Sequence, residues 1–130
     1  MTVTEPDTVD VAGVDKVYWI QRVRDVVINC LRSIIEFKAR DRFIKGLNTP
    51  ITLSIRQVRV CIESSSVHDV GSALGYVATL LMTYGVRVGN SYPKRYLVTE
   101  ELLKTLFSEF ELKQPHLSHA LRVTQLRVKK

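Results

Sequence analysis

The sequence predicts a mainly helical α+β domain, in which an extra long N-terminal helix precedes shorter helices grouped around a small β-hairpin. Three observations carry this. Apolar residues recur every three or four positions over 17–37, 55–62, 67–84 and 102–110, which is the period of an α-helix. Two β-compatible stretches, Val86-Arg87-Val88 and Arg95-Tyr96-Leu97-Val98, flank a Gly89-Asn90-Ser91-Tyr92-Pro93 segment of turn composition. A chain of 130 residues that is 45% hydrophobic and 25% charged has the size and balance of one soluble globular domain, too short for two independent cores.

Residues 1–13 are polar and acidic, end at Gly13, and read as a flexible leader. A single domain then spans 14–111 and opens with a helix over 14–46. Val17, Ile20, Val23, Val27, Cys30, Leu31, Ile34 and Phe37 form a wide apolar arc on this helix, opposite Gln21, Arg22, Asp25, Asn29, Arg32, Ser33 and Glu36. The arc is wider than one packing partner requires. It predicts a homodimer through Val17, Ile20, Val23, Val27, Leu31 and Ile34, or else a central helix wrapped by its own chain. Beyond Phe37 the same wheel sets Lys38, Asp41 and Lys45 on the buried side, so the helix ends, kinks or leaves the core there; Gly46, Asn48 and Pro50 close the segment.

A short strand at 52–54 and a short helix at 55–63 follow. Ser66-Val67-His68-Asp69 has capping-box spacing and predicts a helix starting at Val67, with Val67, Val70, Leu74, Val77, Leu81 and Tyr84 on its core side. Gly85 reads as a left-handed helix end. After the hairpin, Thr99 caps a last helix whose first turn holds Glu100 and Glu101 and whose apolar side is Leu102, Leu103, Leu106, Phe107 and Phe110. Residues 112–130 read as a basic C-terminal tail or a short helix with Leu117, Leu121 and Val128 on one face.

Charge narrows the partners. The net charge is +6, yet residues 1–15 hold Glu5, Asp7, Asp10 and Asp15 and no base, which leaves the other 115 residues at +10. The bases fall in three blocks, 16–46, 86–98 and 112–130, around a neutral middle. An anionic partner is implied, with nucleic acid the first candidate. Cys30 and Cys61 each stand alone in an apolar stretch, so they read as reduced core thiols in a cytoplasmic protein, with neither a disulfide framework nor a zinc knuckle. The uncharged run 70–86 is diluted by glycines, hydroxyls and tyrosines, and no membrane span is expected. His116 and His119 stand three apart without further ligands nearby, so no metal is expected. Without a phosphate-cradling glycine loop, paired carboxylates in an apolar setting or a Cys-His pair, neither a cofactor nor an enzyme is expected.

The order helix, strand, helix, serine turn, helix, hairpin, helix resembles the winged helix-turn-helix domain of bacterial and archaeal transcription regulators over residues 50–110. The wording that carries the resemblance is Val67, Val70, Leu74, Val77, Leu81 and Tyr84-Gly85-Val86, followed by Arg95-Tyr96-Leu97-Val98-Thr99. It implies a recognition helix over 67–84, a wing at the hairpin, and binding to double-stranded DNA as a transcriptional regulator or nucleoid-associated factor; winged helices also serve as protein-interaction modules. The implied DNA-binding residues are His68, Ser72, Tyr76 and Thr79 on the helix and Arg87, Tyr92, Lys94 and Arg95 on the wing. The helix face departs from the usual pattern by containing no Arg or Lys, so contact is expected to be largely electrostatic through the wing and the basic flanks, Lys38, Arg40, Arg42 and Lys45 among them. Gly71, Gly75 and Ala78 make a smooth strip beside that face, suited to tight packing against a helix or to close approach of a DNA backbone.

Overall fold

The computed structural model describes the backbone of residues 4–65, 67, 69–90 and 92–128 and, among these, the side chains of residues 18–126. The chain is mainly helical with one small antiparallel sheet. Helix α1, Thr4–Lys45, is followed by strand β1, Thr52–Ser54, then α2, Ile55–Glu63, and α3, Val70–Tyr84. Strands β2, Val86–Arg87, and β3, Arg95–Leu97, form the hairpin, and α4, Glu100–Leu106, α5, Glu109–Leu112, and α6, Pro115–Val128, complete the chain.

Helix α1 begins ten residues before Val14, so residues 4–13 are helical where a flexible leader is expected. At about 1.5 Å per residue its 42 residues span about 63 Å. Its buried line is Val23, Val27, Leu31, Ile35 and Ala39, with Cys30 beside it. This line advances in steps of four and so winds around the helix, because different elements meet it in turn. Arg24 lies over Tyr76 of α3, Cys30 is joined to Cys61 of α2, Arg32 pairs with Glu111 of α5, and Ala39 sits with His119, Ala120 and Val123 of α6. The predicted stripe, in steps averaging less than a turn, drifts off this line. Phe37 is consequently 74% exposed and Ile44 82% exposed, and the helix leaves the core at its C-terminal end rather than stopping.

Three of the six residues assigned to a dimer interface are therefore corrected: Val23, Val27 and Leu31 are buried within their own chain and are not free to meet another copy. Ile34 is half-buried, Ile20 is exposed, and the side chain of Val17 lies outside the described residues.

The sheet joins the expected short strand at 52–54 to the two hairpin strands, in the order β1-β3-β2. Thr52 pairs with Leu97 and Ser54 with Arg95, which turns Leu53 and Tyr96 together into the core. Ser54 then caps α2: its hydroxyl accepts from the Arg56 N–H at 3.2 Å, and the Gln57 side chain accepts from the Ser54 N–H at 3.4 Å.

Helix α3 starts at Val70 with Asp69 as its cap, in place of the expected start at Val67 under a Ser66 cap; Ser66 lies outside the described residues. A carboxylate at this position accepts from Ser72 both the backbone N–H and the hydroxyl, at 2.9 and 2.6 Å. Gly85 closes α3 in extended backbone, φ −107°, not in the left-handed region. A Cβ there would stand 2.8 Å from the Leu81 carbonyl oxygen, so the position needs a glycine for space.

The expected last helix is two. Phe107 adopts extended backbone, and Ser108 opens α5 with a capping box to Glu111, at 3.1 Å through its hydroxyl and 2.8 Å through its N–H. The break buries Phe107 and leaves Phe110, expected on the core side, 80% exposed. Residues 115–128 form α6, which takes the helical alternative and buries Leu117, Ala120, Val123 and Thr124 against the rest of the fold. Each fully buried leucine contributes about 1.5–3 kcal/mol, so α6 is part of the core and no appendage.

The two cysteines are the largest departure. Cys30 of α1 and Cys61 of α2 form a disulfide across a sequence separation of 31, with Cα atoms 5.9 Å apart, within the ordinary range for such a bond. The expectation of two reduced thiols fails because spacing along the chain does not reveal which helices meet. No helix of the described residues is long and apolar enough to cross a membrane.

Candidate nucleic-acid interface

The hairpin is built to present bases at one edge of the sheet. Val88 N–H donates to the Arg95 carbonyl at 2.9 Å, and Gly89, at φ +66°, makes the left-handed turn that a side chain would strain. The guanidinium of Arg87 lies 5.6 Å above the ring of Tyr92, which is itself exposed. The hairpin is tied to the start of α2 by Ile55 N–H donating to the Lys94 carbonyl at 2.9 Å. Arg95 reaches across to β1, donating to the Thr52 hydroxyl at 3.2 Å.

Two bases from the end of α1 lie at the opposite edge, beside β1, which Arg95 reaches from the central strand. Lys38 Nζ donates to the Thr52 carbonyl at 2.6 Å and to Gln57 Oε1 at 2.8 Å. Arg42 Nε donates to the Thr49 carbonyl at 3.2 Å. Partial burial, and then the charges of Arg42 and Arg95, push the Lys38 ammonium below the usual lysine range. Among the described residues no carboxylate pairs with Lys38, Arg42, Arg56, Lys94 or Arg95, whereas Arg32, Arg40, Lys45, Arg59 and Lys104 are each held in an ion pair. Of the four flank bases expected to add contacts, Lys38 and Arg42 stand at this edge, while Arg40 and Lys45 pair with Glu36 and Asp41.

The residues expected on the recognition helix are arranged differently. Ser72 gives its hydroxyl proton to Asp69, Thr79 donates to the Gly75 carbonyl at 3.1 Å, and Tyr76 is half-buried beneath the Arg24 guanidinium at 5.5 Å. His68 lies outside the described residues. The line of α3 that points directly away from the core is Gly71, Gly75 and Met82, the last 74% exposed. A Cβ at Gly75 would meet nothing within 4 Å, and one at Gly71 only Asp69 Oδ1 at 3.5 Å, so the glycines do not serve packing against α2. The structure thus sets Arg87 over Tyr92 on the hairpin, Arg95 beside Thr52 of β1, and Ser72 and Tyr76 toward α1.

Sequence reasoning missed Arg56, Thr52 and Gln57 as members of the basic edge. The signal present was the position of Arg56 two residues after a strand end, but only the pairing of β1 with β3 brings it to the hairpin.

His116 and His119 pack against neighbouring elements of the fold. His119 Nε2 is 2.9 Å from the Leu47 carbonyl and its ring meets Phe43 edge-on, while His116 is buried with Nε2 3.7 Å from Glu36. Among the described residues no three His, Cys, Asp or Glu side chains come together as a metal site. No protein-family model, no curated protein and no solved structure matches the chain.

Proposed function

We propose that the domain is a winged helix that binds double-stranded DNA, as a dimeric transcriptional regulator or nucleoid-associated factor, through the basic edge of its sheet. The observation that carries this is the group of Lys38, Arg42, Arg56, Lys94 and Arg95, with which no carboxylate pairs among the described residues and where phosphate oxygens would supply counter-charge. The order α1-β1-α2-α3-β2-β3 with strands arranged β1-β3-β2 supports the winged-helix assignment. In this reading α3 contributes light contacts through the exposed Thr79, affinity is mainly electrostatic, and copies associate through the side of α1 that remains exposed.

The test is fluorescence anisotropy on a random-sequence duplex at several salt concentrations. Binding should weaken along a steep log-log salt slope, and Arg87→Ala, Lys94→Ala and Arg95→Ala together should reduce that slope by about 3 and weaken all sequences alike, about one unit per lost phosphate contact. A triple variant that binds as well as wild type at moderate salt overturns the wing assignment. A second reading, a protein-interaction module in a transcription or replication assembly, is favoured by one feature: the uncharged outward line of Gly71, Gly75 and Met82. Absence of DNA binding even at low salt would select it.

A further inference from the structure

A cleft of about 400 Å³ opens where the N-terminal half of α1 passes the start of α3. Trp19, Ile20, Val23 and Arg24 line it from α1, and Ser72 and Tyr76 from α3. The volume is that of a small-molecule site. Its walls combine two chemistries. Trp19, Ile20, Val23 and the ring of Tyr76 offer an aromatic and aliphatic surface, and Arg24 supplies a cation at its edge. Arg24 rests on the Tyr76 ring at 5.5 Å, and no carboxylate pairs with it among the described residues. Asp69 also borders the cleft; the Ser72 N–H and hydroxyl hold both its oxygens at its own helix, and no ion pair joins it to Arg24.

A guanidinium held on an aromatic face beside an apolar cleft, with no carboxylate paired to it among the described residues, is complementary to a carboxylate carried on a flat apolar body. We propose that this cleft binds a small aromatic carboxylic acid, its carboxylate on Arg24 and its ring against Trp19, Ile20 and Tyr76. The ligand bridges α1 and α3, and the inference stands apart from the DNA-binding reading.

Trp19 is the single tryptophan of the chain, so the cleft carries its own reporter. The full-length protein is titrated with benzoate, phenylacetate and phenylbutyrate, and with neutral phenylacetamide, following tryptophan emission and, in parallel, heat by calorimetry. At least one acid should bind saturably, and loss of the ligand charge in the amide should weaken binding about tenfold or more, the worth of a charge-assisted hydrogen bond. Arg24→Gln should weaken acid binding to a similar degree and abolish the preference over the amide, with Arg24→Lys intermediate; circular dichroism confirms that each variant is folded. The proposal is overturned if no acid binds at millimolar concentration by either signal, if amide and acid bind equally, or if folded Arg24→Gln binds as wild type does.

Discussion

Gly85 and Gly75 show how two glycines of one helix can answer to opposite constraints. At Gly85 an added methyl would stand 2.8 Å from a backbone oxygen that cannot move without unwinding the last turn of α3, whereas at Gly75 it would meet only open space. Gly85→Ala should therefore lower stability by about 1–3 kcal/mol, as overpacking does, and Gly75→Ala should raise it by about 0.5–1 kcal/mol through better helix propensity. Urea denaturation of the two variants beside wild type checks both signs at once. Asp69 makes a pH-dependent case. Hydrogen bonds to the carboxylate from the Ser72 hydroxyl and then from the Ser72 backbone N–H hold it below the ordinary aspartate range. A carboxyl whose folded pKa is depressed stabilises the fold above its unfolded pKa and loses that contribution as pH falls through the folded value. Asp69→Ala should accordingly have a lower urea midpoint than wild type near neutrality, and the gap should close on acidification below the aspartate range. A gap that is independent of pH would show that the cap does not act through its charge. The sequence marked a cap near this point but placed it at Ser66, because serine and aspartate are equally good caps and both precede the same apolar run.

Helices and strands were legible wherever one face was apolar over two turns or more, as in α3, where Val77 and Leu81 are buried as the period requires. Pairings between elements were not. Nothing in residues 52–54 says that they border β3, and nothing local in Cys30 or Cys61 says that α1 and α2 meet there. The split between α4 and α5 was readable in principle from the Ser108-to-Glu111 capping box, but the apolar period runs through it to Phe110 and masked the break. The disulfide has the largest consequence at this scale. Closing a loop of 31 residues removes chain entropy worth about 3–4 kcal/mol from the unfolded state. Thiol titration of the unfolded, unreduced protein should find no free thiol, and dithiothreitol should lower the denaturant midpoint by an amount equivalent to that figure. Two titratable thiols, or a midpoint indifferent to reductant, would show that packing alone holds α1 to α2.

The molecule as a whole is asymmetric in charge and in length, and both asymmetries bear on how copies would associate under the dimeric reading. Residues 4–15 form one end of a helix of about 63 Å and their charged side chains are all acids, whereas among the described side chains the buried line of that helix runs from Val23 to Ala39. Past Ala39, Phe43, Ile44 and Leu47 are exposed, and Phe37 and Ile44, seven residues apart, share one face. Two exposed side chains of this size on one face of a helix end are the surface through which a two-fold pair would form, each copy offering the same patch to the other. The mass in sedimentation equilibrium at micromolar concentration should then be twice 14.8 kDa. Phe37→Glu with Ile44→Glu should halve it and leave the circular dichroism spectrum unchanged, since neither side chain belongs to the core. A dimer also joins two basic edges in one particle, so the same double variant should bind duplex DNA with a shallower salt slope than wild type, in proportion to the phosphates that one edge reaches. A wild-type protein that sediments at 14.8 kDa removes the dimer and leaves the basic edge to act alone.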